Sequence, residues 1–219
     1  MSIPYNGGVN LIGDRLVTYE DGSIREIKKF LVLNDYNTIL GCAGDTSLIE
    51  SFFTQMTDCE GIDINNIYNS IRPNLKEVID QFVAMNATSN VLYYNNIEIL
   101  IVIYVNDSIE LHHMRGLAGK RLNNNELNYI PENNSDVQRY TRINTLNFDL
   151  KKSTIFGEEL LRQASFFNHK IGPPEYHGYD QIIITNEGLI NYNNIPPYLN
   201  RIDPVEILEY ITRFEIEEE

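Results

Sequence analysis

At 219 residues the chain is long enough to bury a full core without staples, and its length fits one domain spanning residues 1–219. Hydrophobic residues make up 42% and charged residues 22%, an ordinary globular balance that argues against a disordered chain. A net charge of -14 argues against phosphate backbones and anionic membranes, so neither nucleic acid nor membrane is an expected partner. Cys42 and Cys59 give no disulfide framework, which suits a reducing compartment. The N-terminus has neither a basic region nor an apolar run of a signal peptide. The most apolar run, Ile97 to Val105, is too short to span a bilayer. These features predict a soluble, cytoplasmic protein.

In chain order, Ile3 to Leu16 predicts a β-hairpin turning at Asn6-Gly7-Gly8, residues that tolerate positive φ. A turn at Glu20-Asp21-Gly22 leads into IREIKKFLVL, and YNTILGCAG predicts a strand buried on both faces. Asp45 or Thr46 can then cap a helix carrying Leu48, Ile49, Phe52, Phe53 and Met56 at helical spacing. A second helix is expected from Asn65 to Met85, with Ile67, Ile71, Leu75, Val78, Ile79 and Phe82 as its buried stripe. Pro73 inside it predicts a kink or a broken first turn. The strand candidates SNVLYY, IEILIVIYV and IELHHMRG follow, the last two joined at Asn106-Asp107. Leu117 to Asn147 is polar and irregular, with short strand-like pieces such as LNYI. A third helix is expected over Ile155 to Phe167, a last hairpin from YDQIIIT and GLINYN, and a short terminal helix over Val205 to Phe214. Helices clustered between antiparallel sheet segments predict a layered α+β domain, not alternating βαβ units.

Four features of the first forty-five residues carry the chemistry on offer. Ser2 is small enough to permit removal of the initiator Met, which leaves it a free α-amine of pKa about 7.7 to 8.0. Such an amine can take the proton of its own hydroxyl, a recognised route to covalent catalysis; Ser is equally a common second residue of ordinary proteins. A two-residue Asn6-Gly7 turn pairs Ser2 with Leu11 and puts Asp14 on the opposite face. A three-residue loop with a glycine bulge pairs Ser2 with Ile12 and brings Ser2 and Asp14 together, and the double glycine favours this register. Pro4 removes a ladder donor and implies an edge strand. Lys28 and Lys29 offer an ammonium that lowers a hydroxyl pKa and that Asp14 can hold, or else charges that protect a strand edge. Gly44, between a buried strand and a helix, can present its N–H to a developing oxyanion, or simply turn the chain. His112 and His113 point to opposite faces of one strand. No metal-ligand spacing, phosphate-binding glycine loop or nucleophile elbow occurs, so no cofactor and no metal is expected.

Taken together, GGVNLIGDRLVTYEDGS, IKKF and GCAGD resemble the start of proteasome β-type subunits, N-terminal nucleophile hydrolases, and most closely their short bacterial and phage-type relatives. YDQIIITNEG is similar to a late strand of that family. The resemblance implies a four-layer αββα sandwich, with Ser2 as nucleophile, Asp14 as orienting acid, Lys29 as the tuning lysine and Gly44 as the oxyanion amide. It also implies a peptide or protein substrate and a homo-oligomeric ring or an assembly with related subunits. The chain departs from the family in carrying Ser2-Ile3-Pro4 at the nucleophile, Lys152-Ser153-Thr154 in place of a G-S-G turn, and Asn168-His169 and Gly172 where amine-supporting residues belong. Two principal functions follow: cleavage of peptide bonds through a Ser2 acyl-enzyme, or a catalytically inactive structural subunit of the same kind. A small-molecule amidase is the third.

Overall fold

The computed structural model describes residues 1–19, 22–59, 61–86, 96–130, 143–168 and 171–197. The first four strands are β1 (Ser2–Tyr5), β2 (Gly8–Asp14), β3 (Leu16–Thr18) and β4 (Ile24–Glu26). Next come β5 (Phe30–Leu33), β6 (Thr38–Gly44) and the helices α1 (Thr46–Thr57) and α2 (Ile67–Asn86). After them lie β7 (Ile97–Val105), β8 (Ser108–Arg115), β9 (Ala118–Arg121) and α3 (Leu150–Phe167). The described chain closes with the short α4 (Pro174–His177), β10 (Tyr179–Thr185) and β11 (Ile190–Ile195). The architecture is α+β, with a four-stranded sheet β1-β2-β10-β11, a five-stranded sheet β5-β6-β7-β8-β9 and the separate hairpin β3-β4. Every strand pair is antiparallel.

The first hairpin corrects the sequence-based register. Ser2 stands opposite Leu11 and Tyr5 opposite Gly8, so Asn6-Gly7 alone makes the turn and no bulge is inserted. The second glycine serves a different need. Gly8 has φ +146, and a Cβ there would lie 1.9 Å from the carbonyl oxygen of Ile184. It is a close-approach glycine that lets β2 lie against β10. Asn106 and Asp107 do turn the β7–β8 hairpin, both with left-handed φ (49° and 56°), the residue types a two-residue hairpin turn requires.

The run read from Ile24 to Leu33 is two strands. β4 pairs with β3 and β5 with β6, so the chain changes sheets across Ile27, Lys28 and Lys29. Helix α1 starts where Asp45 accepts the backbone N–H groups of Ser47 and Leu48, satisfying donors that a helix start leaves free. Helix α2 runs from Ile67 with Pro73 inside it, after one 3₁₀ turn at Ile64–Asn66. Helix α3 begins five residues before the expected Ile155, because Asp149 caps it by accepting from the Lys152 N–H. The expected SNVLYY strand and the Val205–Phe214 helix lie outside the described residues.

Three apolar clusters account for the core. Leu48, Phe52, Ile71, Leu75 and Ile79 of α1 and α2 pack on Leu40, Cys42, Ile99 and Ile101 of the five-stranded sheet. Val9, Leu11, Ile182 and Ile184 of the four-stranded sheet meet Phe30, Ile39, Leu100, Val102 and Leu111 of the five-stranded one. Ile3, Ile12 and Tyr179 pack under Phe156, Leu160, Leu161 and Ala164 of α3. Alternation along β2 explains the split: residues 9 and 11 face one way and residue 12 the other. No helix among the described residues is long and apolar enough to cross a membrane.

Candidate functional site

Several charged side chains meet at the end of β2. Lys29 leaves the sheet change between β4 and β5, and its Nζ donates to both carboxylate oxygens of Asp14 at 2.8 Å. The Gly172 N–H donates to Asp14 Oδ2 at 3.2 Å. The two side chains are 19% and 12% exposed, so the pair is screened only in part by water. Asp14 and Lys29 are thus brought together.

Ser2 is placed elsewhere. It is fully buried and stands opposite Leu11, three residues short of Asp14 along β2. Its backbone is taken on the free side of β1 by Asn128: the Ser2 N–H donates to the Asn128 carbonyl at 2.6 Å and the Asn128 N–H returns to Ser2 at 3.0 Å. Its hydroxyl oxygen is buried with no hydrogen-bond partner. The group that the Asp14–Lys29 pair does influence is the Met1 α-amine, which donates to the Ile12 carbonyl at 2.7 Å. Burial pushes that amine down to about 5; Asp14 opposes the shift and Lys29 adds to it.

Gly44 has φ +125, and a Cβ there would lie 1.8 Å from the Asn96 carbonyl oxygen. The conformation and the contact both require glycine, whatever its N–H faces. The neighbouring N–H of Asp45 donates to that same Asn96 carbonyl at 2.8 Å.

Two polar clusters beside these residues escaped the sequence reading. Arg15, next to Asp14, turns to Asp180 (Nε to Oδ1 3.7 Å) and Glu26 (3.5 Å) and donates to Asn194 at 3.2 Å. The Tyr192 hydroxyl donates to Asp180 Oδ1 at 2.8 Å, and Lys28 lies over the Tyr192 ring. Burial raises the Asp180 carboxyl above the usual range, opposed by the Tyr192 hydrogen bond and by Arg15. Under α3, Asn10 donates to Ser153 at 3.0 Å while Gln181 donates to Asn10 at 3.1 Å and Thr154 at 2.8 Å. Asp180 and Gln181 break an otherwise apolar strand, and that was the available signal: a buried strand tolerates polar side chains only when they are paired.

Tyr192 gives this cluster a measurable signature. Its phenol is pushed up to about 12, first by burial and then by its bond to Asp180. A raised phenol favours the folded state while protonated. That contribution is complete below the ordinary tyrosine value of about 10. It is lost as pH rises through the folded value of about 12. The phenolate absorbance of wild type minus Tyr192→Phe should therefore titrate well above an ordinary tyrosine, and Asp180→Asn should move that step down toward it. A Tyr192 step already at the ordinary position in wild type would contradict the pairing.

The two histidines lie on opposite faces, as expected: His112 Nε2 meets Glu110 at 3.2 Å and its Nδ1 the Tyr68 hydroxyl at 2.8 Å, while buried His113 meets Glu98 at 3.0 Å. Among the described residues no three His, Cys, Asp or Glu side chains gather as a metal site requires.

Comparison with solved structures gives an α+β neighbour over nearly the whole chain. Anbu (ancestral beta-subunit) from Yersinia bercovieri superposes with TM-score 0.70 at 12% identity, covering 99% of this chain and 94% of that one. The fold is the Anbu fold. An Anbu Gly-1 mutant from Hyphomicrobium sp. strain MC1 gives 0.72 at 10% identity over 100% and 98% of the two chains. Anbu from Pseudomonas aeruginosa, determined as a helical assembly, gives 0.69 at 9% identity over 99% and 93%. No family model and no curated protein matches the sequence. These neighbours correct the family assignment made from the N-terminal motifs. The structures the chain is similar to are Anbu proteins, a distinct proteasome-related family, and no N-terminal nucleophile hydrolase family is matched.

Proposed function

We propose that this chain is a self-associating, proteasome-like subunit without hydrolytic activity, its helices and sheets stacked in αββα order. The observation that carries the reading is the placement of Ser2. An N-terminal nucleophile needs a free amine, an accessible hydroxyl and a tuning cation beside it. Here the hydroxyl is sealed in the interior, the amide is held by Asn128 and the register separates the residue from Asp14.

Self-association is supported by the surface and by the P. aeruginosa Anbu helical assembly. Phe166 on α3 and Tyr176 on α4 are 85% and 60% exposed, and the two helices touch. Large exposed apolar side chains favour burial against another copy. The test is sedimentation across a wide range of protein concentration for wild type and for Phe166→Asp/Tyr176→Asp. Oligomers in wild type that dissociate in the double variant support the reading; a wild-type monomer overturns it.

Amide hydrolysis by Ser2, Asp14, Lys29 and Gly44 is the second reading, and the Lys29–Asp14 ion pair favours it. It requires Met1 to be absent and β1 to move so that Ser2 reaches Lys29.

A further inference from the structure

Among the described residues the outer edge of β1 is met at Ser2 by a segment that follows β9. Met1 and Ile12 exchange both backbone hydrogen bonds, so by antiparallel alternation the Ser2 N–H and carbonyl point away from β2. Two residues on, Pro4 has no N–H to offer. Ser2 is therefore the outward backbone donor of this edge, and Asn128 takes both of its groups. Further strand pairing cannot propagate past Pro4.

Asn128 sits in a tightly self-bonded segment. Its side-chain amide donates to the carbonyls of Asn123 (3.0 Å) and Glu126 (2.8 Å), and the Asn125 N–H donates to the Asn123 side chain. The segment is hooked to β8 through the Leu122 N–H on the Leu111 carbonyl (2.9 Å). Asn124 adds a second hook, accepting from the Leu111 N–H and donating to the Ile109 carbonyl. Leu127 is buried with Ile3, Ile12 and α3, while Leu122 and Ile130 lie against the apolar cluster shared by the two sheets. Residues 122–130 thus run from the five-stranded sheet to β1 and close over Ser2.

We infer that residues 122–130 are a releasable strap that controls access to Ser2 and couples it to β8. The contact at Ser2 is releasable because it is an isolated bridge of two hydrogen bonds with no neighbouring ladder pair among the described residues, so it parts without unzipping a strand while Leu127 and the Asn124 hook hold the rest of the segment. The inference holds whether or not Ser2 does chemistry.

Backbone hydrogen exchange read by NMR on the full chain tests it. The amides of Ser2 and Asn128 should exchange together and at least about 10-fold faster than those of Leu11 and Ile182, which pair within the sheet. Asn128→Pro removes the donor to the Ser2 carbonyl and should speed Ser2 exchange further while leaving Leu11 unchanged. Asn124→Ala, which cuts the hook on β8, should speed Ser2 in the same direction and keeps the test open if the proline variant does not fold. Ser2 exchanging at the rate of Leu11 in wild type, or staying as protected in Asn124→Ala as in wild type, overturns the strap.

Discussion

Replacing Phe30 by alanine is expected to lower the unfolding free energy by about 3 to 5 kcal/mol, the range for deleting a buried aromatic side chain. The ring is wedged between two glycines on different sheets. A Cβ at Gly13 of β2 would lie 2.6 Å from one ring carbon and a Cβ at Gly41 of β6 2.7 Å from another. Neither glycine can send a side chain into the space the ring leaves, and the surrounding Leu11, Ile39 and Leu100 are already close-packed. The cavity therefore persists, and the cavity penalty adds to the lost transfer energy. Denaturant titration measures it; a loss below about 1 kcal/mol would show that the sheets close over the gap. Phe30→Leu should recover part of the loss.

Asp14→Asn ranks second, at about 2 kcal/mol. A fully buried pair broken on one side costs about 3 to 5 kcal/mol and an exposed one about 0 to 1. The side chains here are 19% and 12% exposed, between those limits. Asn retains an acceptor for the Gly172 N–H but leaves the Lys29 ammonium without its counter-charge. Pairing the change with Lys29→Met removes the stranded cation, so the double variant should be more stable than Asp14→Asn alone. Equal stability of the single and double variants would show that solvent already compensates Lys29. The result bears on the second functional reading as well, since that reading gives Lys29 the tuning of Ser2 and Asp14 the holding of Lys29.

The stripe Ile67, Ile71, Leu75, Val78, Ile79 and Phe82 announced α2 because helical periodicity is a local signal; the first five are buried and Phe82 is partly buried. Asp45 and the Asn106-Asp107 turn were equally legible, since a cap and a tight turn depend on a few adjacent side chains. The Asp14–Lys29 meeting was legible as a chemical complementarity. Ser2 was not. Its environment is decided by one residue of register, and Gly8 gave the wrong cue. A glycine needed for contact with Ile184 looks in sequence like a glycine needed for a bulge. The Ser2–Asn128 bridge joins positions far apart in the chain, in a stretch where polarity hides any period, so no local pattern could report it. Arg15 and Asp180 meet for the same reason, through the pairing of Gly13 with Asp180 across β2 and β10.

The measurement closest to the central claim is intact-mass analysis of the full chain after incubation with a β-lactone that acylates accessible, amine-activated hydroxyls, with Ser2→Ala alongside. A buried Ser2 that does no chemistry predicts no mass increment in either protein, and unchanged self-association in the variant. A one-equivalent adduct in wild type that disappears in Ser2→Ala would contradict the account and return Ser2, Asp14, Lys29 and Gly44 to a working active site.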